Sequence, residues 1–172
     1  MKKKLLTCAA VILVVLVAAL LFWRFWPRIF SDAASVDETA VVSVSVQAII
    51  NRVENGELVT DLYQLDSIAQ PEATLDAVLE ILSASDYRPD FRNLLPWKLD
   101  YVDADRDYDG RTVTIVLDTG NGTDDFVQIQ LLGSSVFAVS GGDRDGFRIY
   151  HPTKPEMLDQ LIDYLQTNGE KQ

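Results

Sequence analysis

The chain has 172 residues, with 15 Lys+Arg against 26 Asp+Glu and a formal charge of −11. Residues 1–31 hold five bases and no acid, so residues 32–172 hold 10 bases against 26 acids, a net of −16. That acidity excludes nucleic acid and anionic headgroups as partners of the larger part, because phosphate contacts need a basic face. A hydrophobic content of 48% with 9% aromatics excludes a wholly disordered chain, and about 140 residues suits one domain with its own core.

Residues 5–23 are apolar but for Thr7 and Cys8. As a helix this run of 19 residues would reach roughly 28 Å, near a hydrocarbon core of about 30 Å. Lys2, Lys3 and Lys4 precede it, and Trp23, Arg24, Trp26 and Arg28 follow it, the residue types that anchor a helix at the membrane interface. The run is longer than the apolar region of a cleaved signal peptide, and it leads into bulky residues instead of a small-x-small site. Cys8 precedes most of the run, which argues against a lipidated N-terminal cysteine. Residues 1–30 therefore read as an uncleaved signal-anchor contacting the bilayer through residues 5–26. The three lysines place the N-terminus in the cytoplasm and the acidic domain outside, as a single-pass cell-membrane protein. The outer part has no cysteine, so it folds without disulfides.

Residues 31–40 are small, polar and acidic, and read as a flexible tether. In residues 41–50, Val42, Val44 and Val46 alternate with Ser43 and Ser45, the pattern of a half-buried strand; a helix through 47–53 is the rival reading. Asn55-Gly56 signals a two-residue hairpin, with residues 57–65 as the return strand. Pro71 opens a helix with Leu75, Val78, Leu79 and Leu82 on one face, and residues 91–96 form an irregular connector.

Strand-like segments follow at 97–103, 112–118, 126–132, 135–140 and 147–150, separated by Gly/Asp turns. Their short spacing makes them antiparallel neighbours. Pro155 sits near the first turn of a last helix with Met157, Leu158, Leu161, Ile162 and Leu165 as its stripe, ended by Asn168-Gly169. The expected fold is α+β: an N-terminal transmembrane helix, then residues 41–168 as an antiparallel sheet of five or six strands with two packing helices.

One acidic run invites a metal. Asp105, Asp107, Asp109 and Gly110 fall at positions 1, 3, 5 and 6 of a calcium loop. Position 12 is Val116 instead of the bidentate glutamate, and a solvated hairpin turn uses the same residues. Asp118-Thr119-Gly120 follows a hydrophobic strand, as in aspartic proteases, but such catalysis needs two carboxylates sharing a proton and no second copy exists. His151 is the only histidine; without a nucleophile elbow it reads as a strand-end residue. The aromatics Tyr87, Phe91, Trp97, Tyr101 and Tyr108 bracket the connector and read as core caps or as a binding surface.

The order of hairpin, TLDAVLEILSASDYRP, TVTIVLDTG, DFVQIQLL, SVFAVS, FRIYHP and MLDQLIDYL resembles small, uncharacterised extracytoplasmic α+β domains of membrane-anchored Gram-positive proteins. The resemblance covers most of residues 41–165. It implies a sensing or binding module and carries no catalytic residues over. The functional expectation is a non-enzymatic, anchored domain whose partner is a protein at the envelope. A carboxylate-dependent hydrolase and a calcium-dependent adhesion or inhibitor module are the alternatives.

Overall fold

A computed structural model describes residues 2–66, 71–94, 109–120, 126–141 and 146–172. Its centre is one antiparallel sheet of eight strands in the order β3-β7-β6-β5-β4-β1-β2-β8. The strands are β1 (Ser43–Glu54), β2 (Glu57–Asp66), β3 (Tyr87–Pro89), β4 (Arg111–Asp118), β5 (Phe126–Leu132), β6 (Val136–Gly141), β7 (Arg148–Pro152) and β8 (Glu170–Lys171). Helices α3 (Pro71–Ser83) and α4 (Glu156–Asn168) touch each other and both touch β1. Two more helices precede the sheet, α1 (Lys2–Arg24) and α2 (Phe30–Ala34).

Period-2 alternation explains the sheet. Val44, Val46 and Ala48 of β1 are buried, as are Val113, Ile115 and Leu117 of β4 and Val127, Ile129 and Leu131 of β5, all on the helix-covered face. Val78 and Leu82 of α3 close onto this layer with Met157, Leu158, Leu161, Ile162 and Leu165 of α4. The hairpin turn is Asn55-Gly56 with φ of 54° and 85°, the double positive φ of a type I′ turn, which matches strand twist. Glu54 pairs Glu57 across it, and the rival helix at 47–53 is β1 backbone.

The strand count corrects the expectation of five or six. The two strands that sequence patterning leaves out are β3, three residues long, and β8, two residues long. Runs that short cannot display an alternation. Expected strand 97–103 lies outside the described residues.

The transmembrane reading is also corrected. Among the described residues no helix is long and apolar enough to cross a membrane. The signal-anchor and single-pass cell-membrane assignments fall with that finding. Val11, Leu13, Val14 and Leu20 are exposed along α1, whereas its C-terminal end meets the domain. Arg28, expected as an interface anchor, pairs its backbone with Tyr87: its amide donates to the Tyr87 carbonyl at 2.9 Å and its carbonyl accepts from the Tyr87 amide at 2.8 Å. This bridge covers the open edge of β3, the strand that carries Pro89.

Residues 31–40, read as a tether, also differ. They hold most of α2 and a single turn of 3-10 helix, Glu38–Ala40. Phe30, Ala33 and Ala34 are fully buried. Phe30 joins Tyr87 and Phe137 in an aromatic cluster with ring centroids 4.3–6.3 Å apart, a spacing that adds to plain area burial.

Candidate binding groove

β3 and β7 form one end of the sheet, and their register sets the site. Tyr87 pairs Pro152, Arg88 pairs His151 and Pro89 pairs Tyr150. Tyr87 and Tyr150 are buried, so alternation turns Arg88 and His151 together to the opposite face as cross-strand neighbours. Against them stand Leu21 and Phe22 at the end of α1 and Phe25 and Trp26 in the turn that follows it. Phe22 and Trp26 meet edge to face at 5.0 Å. The space between is a groove of about 980 Å³. That lies within the range of about 300–1,000 Å³ typical of small-molecule sites.

The polar end of the groove is pinned by a network on Asp90, which is 5% exposed. The Arg92 amide donates to Asp90 Oδ1 at 2.7 Å and its guanidinium to Oδ2 at 2.8 Å, an Asx turn closed by its own ion pair. His151 Nε2 lies 2.7 Å from the same Oδ2, and Nδ1 lies 2.7 Å from the Ser135 carbonyl oxygen. Asn93 completes the cover: its side-chain amide donates to the Ile149 carbonyl at 2.6 Å and accepts from the Ile149 amide at 2.9 Å. A side chain thus continues the ladder where β3 ends. Burial alone would push the Asp90 carboxyl up. Hydrogen bonds from the Arg92 side chain and amide and from His151, with the Arg92 charge, outweigh burial and hold it at about 2.

The arrangement of His151 limits its chemistry. Both ring nitrogens face oxygen acceptors inside the protein, so neither lone pair is aimed at the groove. A histidine acting as general base on a bound nucleophile needs one nitrogen free for it. Arg88 is different. It is exposed, and among the described residues no carboxylate or hydrogen-bond partner engages its side chain. Asp90, two residues away, is committed to Arg92 and His151.

The residues singled out from sequence are dispersed. Trp26 lines the groove; Trp23 is exposed on α1, and Arg24 closes that helix. Asp105 and Asp107 lie outside the described residues, as do Trp97, Tyr101 and Tyr108. Asp109 is described and grips Arg111: its Oδ1 accepts from the Arg111 amide at 3.1 Å and its Oδ2 from the guanidinium at 2.7 Å. Burial pushes Asp109 up, and the Arg111 hydrogen bonds and charge more than offset it. Among the described residues no group of three or more His, Cys, Asp or Glu is placed to hold a metal ion. Asp118 ends β4 and accepts from the Gly120 amide at 2.8 Å, which is turn chemistry. Phe91 is exposed and Tyr87 is buried.

Sequence reasoning passed over Arg88, Asp90 and Arg92. The local signal for the last two is the spacing Asp-x-Arg after a proline, which suits an Asx turn; nothing local points from Asp90 to His151, 61 residues on. No protein-family model, no curated protein and no solved structure matches the chain.

Proposed function

We propose that this protein is a non-enzymatic binding module that holds a small, largely apolar molecule in the groove between the end of α1 and the β3–β7 edge. The observation that carries the reading is the groove itself: three aromatic rings and a leucine converge on one side, and a few fixed polar groups on the other. That combination is the usual build of a small-molecule site. The engagement of both His151 nitrogens supports a binding role over a catalytic one, because it removes the one imidazole from general-base duty.

The test uses Trp26 as a reporter. An uncharged naphthylamine dye titrated into the intact chain should bind at micromolar concentration, with energy transfer from tryptophan. Trp26→Ala should weaken it by about tenfold, from the loss of aromatic contact. Saturation that is unchanged in Trp26→Ala, or no saturation below millimolar dye, overturns the groove as the site.

A further inference from the structure

The groove is asymmetric in charge, and this fixes the class of its occupant. Resting on the binding role just proposed, we propose that the ligand is a free medium-chain monocarboxylate, its hydrocarbon body against Leu21, Phe22, Phe25 and Trp26 and its carboxylate on the Arg88 guanidinium.

Three observations converge. The apolar wall runs from Ala18 through the end of α1 at Arg24 to Trp26 in the turn beyond it; the helical part alone rises about 9 Å, enough to lie along a medium-length hydrocarbon chain. At the sheet side, Arg88 and His151 are cross-strand neighbours on one face, and Arg88 is exposed without a carboxylate partner among the described residues. A guanidinium offers a planar donor fork that matches a carboxylate with two parallel hydrogen bonds. The third is the fate of Asp90. Asp86 and Asp90 each lie two residues from Arg88; Asp90 is turned into the Arg92 and His151 network at 2.7–2.8 Å, and exposed Asp86 makes no ion pair with Arg88 among the described residues. Neither acid neutralises Arg88 through a direct ion pair. In a chain of charge −11, an arginine left available at the mouth of an apolar groove marks where an anionic group belongs. A cationic amphiphile would gain from the overall charge but would place its head against Arg88.

The test compares heads at constant tail. Decanoate, decanol and decyltrimethylammonium, each below its micellar concentration, are titrated calorimetrically into the intact chain. Decanoate should bind about tenfold or more tighter than decanol, the size of a hydrogen-bonded charge contact, and the ammonium weakest. Arg88→Gln should bring decanoate down to decanol while leaving decanol within about twofold, and Arg88→Lys should restore part of the preference. Equal binding of decanoate and decanol, or a preference that survives in Arg88→Gln, overturns the carboxylate assignment and leaves the groove reading standing. Binding of none of the three up to millimolar concentration overturns both. A preference for the ammonium shows that net charge outweighs Arg88, and it too overturns the proposal.

Discussion

The phenolic oxygen of Tyr87 donates to the carbonyl of Leu82 at 2.6 Å, and it lies 3.2 Å from the sulfur of Met157. One residue of the edge strand thus ties the end of α3 to the start of α4, while its backbone holds Arg28 and its ring packs on Phe137 at 4.3 Å. Burial pushes the phenol pKa far up, with the Asp86 and Glu38 charges adding to it, so the hydroxyl stays a neutral donor across the ordinary pH range. Removing it leaves the Leu82 carbonyl with only a long bond from the Ser85 amide at 3.5 Å. Tyr87→Phe should cost about 1–3 kcal/mol by urea unfolding. Tyr87→Ala adds a cavity and should cost about 3–5 kcal/mol. An unchanged midpoint in Tyr87→Phe would mean the bond contributes nothing net.

Acid should loosen the groove end first. Asp90 has its folded pKa depressed to about 2, below the ordinary aspartate value. A depressed carboxylate contributes stability that is fully present above its unfolded pKa and is lost as pH falls through the folded one. The window is therefore from about pH 4 down to about pH 2, and the loss should be roughly 1–2 kcal/mol. Asp90→Asn should remove that slope in pH-dependent urea titrations and leave the rest of the acid limb in place. A slope in Asp90→Asn equal to that of the parent shows that other carboxylates carry it.

Gly141 is held at φ 102°, and a Cβ there would sit 2.2 Å from the carbonyl oxygen of Phe126. Neither strain nor clash can relax without breaking the β5–β6 ladder, in which Gly141 pairs Val127. Gly141→Ala should cost about 2–4 kcal/mol, above the usual penalty for a strained φ. Gly146 is the control: φ is 79° but nothing among the described residues lies within 4 Å, so Gly146→Ala should cost only about 1 kcal/mol. Equal midpoints for the two variants would show that the close approach does not matter.

What was legible in the sequence follows from what is local. The Asn55-Gly56 turn, the alternation of Val44 and Val46, and the stripe from Met157 to Leu165 are each written within one element, and each lies where its period puts it; Val42, read on the same face, precedes β1 and is exposed. Phe30 was not legible: an aromatic beside Trp26 and Arg28 looks like an interface anchor, and only tertiary contact reveals it in the core. The short α2 has no room for a periodic stripe. The groove was illegible for a topological reason. Arg88 meets His151 only because β3 and β7, far apart in sequence, close the same end of the sheet. The Asp90–His151 contact inherits that separation, so neither residue stood out alone.

Arg111 offers a contrast to Asp90 that decides how far surface charge pairs matter here. It reaches Asp109 at 2.7 Å and also Asp159 on α4, joining the start of β4 to the last long helix. By count of partners it rivals the Asp90 network. By environment it does not: the Arg111 side chain is 30% exposed and Asp159 59%, whereas Asp90 and Arg92 are 4% and 11% exposed. Exposed pairs contribute about 0–1 kcal/mol and are screened by salt. Breaking a buried pair leaves an uncompensated charge and costs several times more. Arg111→Met should therefore lower stability by less than about 1 kcal/mol at low salt, and that difference should vanish in 1 M sodium chloride. Arg92→Met should cost about 3 kcal/mol or more, largely insensitive to salt. Comparable costs for the two variants, or a salt response in Arg92→Met matching that of Arg111→Met, would show that burial does not set the strength of these pairs.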